Sequence, residues 1–203
     1  MDRKISFSTY RSIDIAIFTL LMIIFEFLSI KGFEWLNGIY SLSLFLVISL
    51  ITMLRWKFWA IIPIIASGIT YSLAHQDGTY QNMIVYSVGN LFSLLSLVWI
   101  FPDQKKLEKN HFVILFVLTG FFSYCVGRSF IASIIFQKSF ADLLIGFLGT
   151  ESLNAVISLV VIFIAKRQNG ILEDQKKYIL RVQEEERNIS LEVEEWKKAW
   201  LTF

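Results

Sequence analysis

Residues 111–136 decide the fold, and they read HFVILFVLTGFFSYCVGRSFIASIIF, a run with a single formal charge at Arg128. The hydrocarbon core of a bilayer is about 30 Å thick and an α-helix rises about 1.5 Å per residue, so about 20 such residues cross it. The whole 203-residue chain is 55% hydrophobic and only 18% charged. The sequence therefore predicts an integral membrane protein and argues against a soluble enzyme.

Five further apolar runs accompany this one. The six predicted spans cover residues 13–30, 36–54, 58–75, 81–101, 111–136 and 140–165. They are continuous apolar runs without two-residue alternation, which favours helices over a transmembrane barrel. The fold class predicted is an all-α, six-helix transmembrane bundle over residues 1–168.

Lysines and arginines set the predicted orientation. With the N-terminus inside, ten of them fall on the cytoplasmic side: Arg3, Lys4, Arg11, Arg55, Lys57, Lys105, Lys106, Lys109, Lys166 and Arg167. Only Lys31 and Lys138 fall outside. This positive-inside bias predicts a multi-pass protein of the cell membrane with both termini cytoplasmic.

The segment 169–203 has a different composition. After Gly170 it holds 14 of the 36 charged residues, interleaved with apolar residues at near-helical spacing. Arg181 and Glu185 form an i,i+4 pair. We expect a cytoplasmic amphipathic helix, broken near Asn188, that lies on the membrane surface, docks on a partner or is simply solvated.

Two ionisable residues inside predicted spans carry the functional hypothesis. Arg128 lies eight residues before Phe136, about 12 Å from the outer end, and Glu151 lies eleven residues after Phe140, at about 16 Å. A charge near the bilayer centre costs about 2.5 kcal/mol or more, so each needs a partner. Arg128 would bind an anionic ligand group, with Glu151 orienting it or binding a ligand donor. The alternative is a structural ion pair.

Polar residues at helical spacing predict the rest of the site. One face of span four carries Asn82, Tyr86, Asn90 and Ser93. Tyr124 precedes Arg128 by four residues, and Asn154 follows Glu151 by three. In a membrane helix such groups must face protein or a water-filled cavity. We assign Tyr86, Asn90, Tyr124 and Asn154 to the site, with interhelical hydrogen bonding as the alternative.

The outer loop between spans three and four, from Tyr71 to Tyr80, is aromatic and polar. We add Tyr71 and His75 to the candidate substrate-binding residues, although interfacial tyrosines and a surface histidine are common. Glu26, near the outer end of span one, is expected to reach water. No catalytic, nucleotide-binding or metal-binding motif is present, so neither enzymatic activity nor a cofactor is predicted. The net charge of +2 gives no reason to expect a nucleic-acid partner.

The layout resembles the substrate-binding S components of energy-coupling factor (ECF) transporters. The residues behind the resemblance are 53–60 (MLRWKFWA), 86–95 (YSVGNLFSLL) and 165–178 (AKRQNGILEDQKKY). Such a resemblance implies a small bundle that captures a vitamin-like micronutrient or a haem-like tetrapyrrole from outside. It also implies a transmembrane T component and two ABC ATPases as partners. Many S components that share a common T component carry an Ala-x-x-x-Ala contact on the first helix. Here Leu20 stands four residues after Ala16, so this motif is absent, which favours a dedicated T component.

Two other functions are compatible with the sequence. Residues 181–192 (RVQEEERNISLE) resemble the start of a signalling helix, so the alternative is a membrane sensor whose C-terminal helix contacts a cytoplasmic partner. An intramembrane enzyme is the third possibility, but only Arg128 and Glu151 offer it an acid or base. No residue pattern identifies the substrate.

Overall fold

The computed structural model of the protein describes residues 6–32, 40–75, 78–101, 106–107, 109–168 and 175–201, and most of these residues are helical. These ranges contain no β-strand. The helices are α1 (Phe7–Gly32), α2 (Phe45–Trp56), α3 (Ile61–Ala74), α4 (Tyr80–Leu91), α5 (Asn110–Phe136), α6 (Phe140–Thr150), α7 (Ser152–Lys166) and α8 (Gln175–Leu201). Short 3₁₀ segments, Lys57–Ala60 and Phe92–Trp99, follow α2 and α4.

Four helical stretches in the described residues are long and apolar enough to cross a membrane. They are Phe7–Gly32, Phe45–Ala74, Tyr80–Trp99 and Asn110–Phe136. The pair α6 and α7 passes the same test only when taken together, across a bend of 48°. The chain is therefore all-helical, with four or five apolar helices of membrane-spanning character.

The stretch Phe45–Ala74 folds back on itself. Glu26 Oε1 on α1 accepts hydrogen bonds from Ser43 Oγ at 2.6 Å and from Ser67 Oγ at 3.1 Å. In one straight helix these serines would be about 36 Å apart. The reversal falls at Lys57, where φ is 54° and ψ is −120°. Helices α2 and α3 thus run antiparallel, and the predicted division into runs 36–54 and 58–75 agrees with this turn.

Helix α2 forms the centre of the bundle, because ten of its twelve residues are buried. Leu50 and Met53 pack in one apolar core with Phe116 and Val117 of α5. The helix begins only at Phe45, later than the predicted start at 36, and residues 33–39 lie outside the described part of the chain. Residues 40–44 lead into it without helical structure.

The sequence predicted one uninterrupted span over residues 140–165, and the structure divides this run into two helices. The chain bends at Glu151, which separates α6 from α7 with φ −95° and ψ 0°. The bend frees backbone groups, and the carbonyl of Thr150 accepts a hydrogen bond from the Ser41 amide at 2.9 Å. Apolar periodicity does not reveal such a break, because both halves are equally hydrophobic.

Glycines let helices α4 and α5 touch backbone to backbone. A Cβ placed on Gly127 would lie 2.5 Å from the Gly89 carbonyl oxygen and 2.5 Å from Phe92 Cγ. One placed on Gly89 would lie 2.7 Å from Arg128 Cα. Small residues commonly allow such close crossings between membrane helices. This crossing holds Arg128 against α4.

Helix α8 extends unbroken from Gln175 to Leu201, so the predicted interruption near Asn188 is wrong. It is anchored where it begins, since Gln175 is buried and its Oε1 accepts a hydrogen bond from the Tyr10 hydroxyl at 3.5 Å. Described apolar side chains in its C-terminal half, such as Ile189 and Trp196, are exposed.

We expect Gly127→Ala to destabilise the bundle by about 1–3 kcal/mol, because the added methyl group overpacks the α4–α5 crossing. The measurement is the thermal unfolding midpoint in detergent. Gly146→Ala on α6 is the matched control, since nothing lies within 4 Å of its Cβ position. Equal midpoints for the two variants would contradict the close crossing.

Candidate substrate-binding site

A buried ion pair lies at the centre of the site. Arg128 Nη1 on α5 donates to Glu151 Oε1 at 2.6 Å, and the two side chains are only 4% and 5% exposed. Either charge alone in an apolar interior would cost several kcal/mol. The structure thus brings together the two residues that the sequence singled out by their depth in neighbouring apolar runs.

The remaining faces of the Arg128 guanidinium are also occupied. Its Nε donates to Asn90 Oδ1 on α4 at 2.6 Å. Its Cζ lies 4.7 Å from the ring centres of both Tyr86 and Tyr124, which gives it cation–π contacts from two helices. The guanidinium is therefore held as a fixed group.

Glu151 receives donors on both of its oxygens. Its Oε2 accepts hydrogen bonds from the Tyr124 hydroxyl at 3.3 Å and from Asn154 Nδ2, in addition to the Arg128 bond on Oε1. A carboxylate offers about four acceptor positions. Three are filled, so one remains for a further donor.

A second buried carboxylate joins this network from α1. Asn154 Oδ1 accepts a hydrogen bond from the Ser43 amide at 2.9 Å, and Ser43 Oγ in turn donates to Glu26 Oε1. Glu26 is only 2% exposed, so the expectation that it reaches water is wrong. Ser67 also donates to Oε1, whereas Oε2 has no hydrogen-bond partner among the described residues.

A cavity of about 200 Å³ adjoins the ion pair. Its wall is formed by Tyr40, Ser41, Tyr71, His75, Tyr86, Phe147, Thr150 and Glu151. Glu151, at the bend between α6 and α7, is one of these wall residues. Arg128 does not line the cavity. A ligand there could contact Arg128 only by displacing Glu151, or interact with it indirectly through Glu151.

Aromatic rings in mutual contact form one side of the cavity. The Tyr71 ring centre lies 4.0 Å from that of Tyr86 and 5.2 Å from that of His75, the latter pair nearly parallel at 19°. Phe147 meets Tyr86 edge-on at 6.3 Å. The wall thus combines aromatic rings with polar residues such as Ser41 and Thr150, and small-molecule sites likewise combine aromatic side chains with a few polar groups.

The eight candidate residues fall into two layers. Tyr71, His75, Tyr86 and Glu151 line the cavity, while Asn90, Tyr124, Arg128 and Asn154 form a hydrogen-bonded layer behind Glu151, in which the Arg128 guanidinium also lies over the Tyr86 ring. Whether any of them binds a ligand stays a prediction. Of the other polar residues on span four, Ser93 donates to the Asn90 carbonyl at 2.7 Å.

Sequence reasoning missed half of the cavity wall. Tyr40 and Ser41 lie just before α2, and Phe147 and Thr150 lie on α6 before the bend. No local pattern distinguishes these residues from lipid-facing or interfacial ones. They line the cavity only because α6 and α7 meet at a bend and residue 41 lies beside residue 150. The described residues include no group of three or more His, Cys, Asp or Glu side chains that could hold a metal ion.

Comparison with known protein families, curated proteins and solved structures gives no match for this chain. No family, substrate or partner therefore comes from similarity. The function is inferred from the geometry of the ion pair and of the cavity beside it.

We expect Arg128→Met and Glu151→Gln to destabilise the protein by about 3–5 kcal/mol each, because each leaves a buried charge or buried donors unpaired. The double variant should regain most of that loss. Thermal unfolding of the four proteins in detergent gives the coupling free energy of the pair. Additive losses would show that the two side chains do not stabilise each other.

Proposed function

We propose that this protein is a membrane-embedded substrate-capture subunit, similar to the S component of an ECF-type importer, and that it is not an enzyme. The main support is the position of Glu151, which is fixed by three protein donors and yet lines an aromatic cavity. A carboxylate that three protein donors hold in place, with one acceptor position left, suits recognition of a donor group on a ligand.

The proposed membrane arrangement has six crossings, with both termini and α8 cytoplasmic. It counts α2 and α3 separately because of the reversal at Lys57, and it counts the bent pair α6–α7 as one crossing. Helix ends that would share the cytoplasmic side are bonded together. Asp14 pairs with Arg55 at 2.9 Å, and Lys166 Nζ donates to Asn110 Oδ1 at 2.8 Å. The ten-to-two distribution of basic residues indicates which side of the bundle faces the cytoplasm.

The broken crossing at Glu151 suits a binding site. Discontinuous helices in transporters place free helix ends and polar groups at substrate sites near the middle of the membrane. Here the residues at the break, Thr150 and Glu151, both line the cavity. Irregular backbone at such depth is tolerated where it is covered by protein or lines a cavity.

The proposed ligand is a compact micronutrient with a flat ring and a polar group. The ring would lie against Tyr71 and Tyr86, and a donor on the ligand would fill the free acceptor position of Glu151. An anionic group would reach Arg128 only by displacing Glu151. Ligand pockets usually measure about 300–1,000 Å³, so a cavity of about 200 Å³ favours a vitamin-sized compound over a tetrapyrrole.

Transport in this proposal depends on partner subunits. The sequence has no phosphate-binding loop, so ATP hydrolysis would come from two cytoplasmic ABC ATPases, acting through a transmembrane T component. Helix α8 favours a second candidate function, a membrane sensor. Its 27-residue length and its exposed apolar residues suit signalling through a cytoplasmic partner.

We expect single cysteines at Tyr80 and Lys138 to react with a membrane-impermeant maleimide added outside cells, and cysteines at Asn110 and Gln168 to react only after permeabilisation. All four positions are exposed, and the native Cys125 is buried and gives little background. The opposite labelling pattern would contradict the proposed orientation, and a mixed pattern would contradict the six crossings.

We expect wild-type protein purified from rich medium to release a stoichiometric small molecule on denaturation, detected by mass spectrometry. Thr150→Phe should abolish its retention, because the added ring fills the cavity. Ser152→Phe is the matched control, since Ser152 is exposed at the start of α7 and does not line the cavity. Equal retention by both variants, or no compound in the wild type, would contradict the proposal.

The same assay applied to a stable Arg128→Met, Glu151→Gln double variant distinguishes the two roles of the ion pair. Lost retention indicates that the pair contacts the ligand, and unchanged retention indicates a structural pair beside a pocket formed by the other residues.

A further inference from the structure

Helix α8 carries an apolar stripe that is half-buried at Ile179 and Val182 and exposed further along the helix. We define the α8 seam as residues Ile179, Val182, Ile189, Val193 and Trp196. Ile189, Val193 and Trp196 are 60%, 48% and 68% exposed. Large apolar side chains that stay in water along one line of a charged helix indicate a missing partner.

The spacing of the α8 seam is that of a heptad repeat. In heptad notation, position a is occupied by Ile179 and Val193, and position d is occupied by Val182, Ile189 and Trp196. Trp200 continues the series at a, and Glu186 is the one interruption. A strict average of 3.5 residues keeps such a stripe facing a second helix, which is the pattern of a left-handed coiled coil.

A membrane surface suits the α8 seam poorly. Interfacial helices have a broad apolar face and are rich in Lys and Arg on the polar face. Residues 175–201 carry six acids and six bases, with three consecutive glutamates at 184–186. An a/d seam is also narrower than the apolar face that a helix presents to a globular core or a bilayer.

The flanking charges favour a parallel pair of identical helices. Positions g include Glu185 and Glu192, and position e of the following heptad holds Lys197. In a parallel pair, Glu192 faces Lys197 of the second helix, the usual g-to-e′ ion pair. An antiparallel pair would instead set glutamates of the two g rows against each other. Two copies inserted in one membrane with the same orientation present their α8 helices in parallel.

We propose that α8 forms a parallel two-stranded coiled coil with α8 of a second copy of this chain. The anchor at Gln175 fixes where each helix leaves its bundle, and Ile189, Val193 and Trp196 beyond it are exposed to the partner. This assembly does not depend on the ligand or on the transport function.

Disulfide cross-linking in native membranes tests the proposal. Single cysteines replace Ile189, Val193 or Trp196 on the α8 seam, and Leu191→Cys is the matched control because Leu191 is 50% exposed but occupies position f. The buried Cys125 is replaced by Ala in every variant. Mild oxidation should give a covalent dimer at least fivefold more abundant for Val193→Cys and Trp196→Cys than for Leu191→Cys.

Second substitutions check that packing of the seam causes the cross-link. In the Trp196→Cys protein, Val193→Asp should reduce the dimer yield at least fivefold, Leu191→Asp should leave it unchanged, and Glu186→Leu should raise it. Equal yields at seam and control positions, no cross-link at any seam position, or an adduct whose mass differs from twice that of the chain would each overturn the proposal. The last result would assign the seam to a different protein.

Discussion

The ion pair between Arg128 and Glu151 is the constraint on which the bundle depends. An isolated charge is too costly to leave in an apolar interior, so the helices that carry the two residues must meet in a fixed register. Their bond of 2.6 Å joins α5 to the α6–α7 bend. The guanidinium also binds Asn90 on α4, so one side chain fixes the relative positions of three segments.

The rest of the polar interior completes this arrangement. Asn154 and Tyr124 fill further acceptor positions on Glu151, and Ser43 links Asn154 to Glu26 on α1. Buried polar networks specify one packing because an alternative packing would leave members unpaired. Among the described residues, Glu26 Oε2 and Ser49 Oγ have no hydrogen-bond partner, and Glu151 keeps one open acceptor position. Either carboxylate would gain from an additional donor.

Two kinds of constraint act on different parts of the chain. The bundle is specified by buried polar pairs and by glycines that let α4 and α5 approach closely, because apolar side chains alone do not distinguish a helix neighbour from lipid. Among the described side chains of helix α8, Gln175 is a buried anchor, and Ile189, Val193 and Trp196 are exposed. Contacts within the chain thus settle the bundle, whereas the apolar stripe of α8 stays open to a partner.

The sequence alone determined the helical class and the apolar runs, because hydrophobic length acts locally along the chain. It also predicted that Arg128 and Glu151 lie at similar depth in neighbouring runs, because a buried charge needs a partner. The reversal near Lys57 also falls where the basic residues interrupt the apolar pattern. Only the tertiary structure decided the bend at Glu151, the burial of Glu26 and the cavity wall formed by Tyr40, Ser41, Phe147 and Thr150. These features depend on which helices pack side by side, and residues distant in sequence, such as Ser43 and Asn154, meet only once that packing exists.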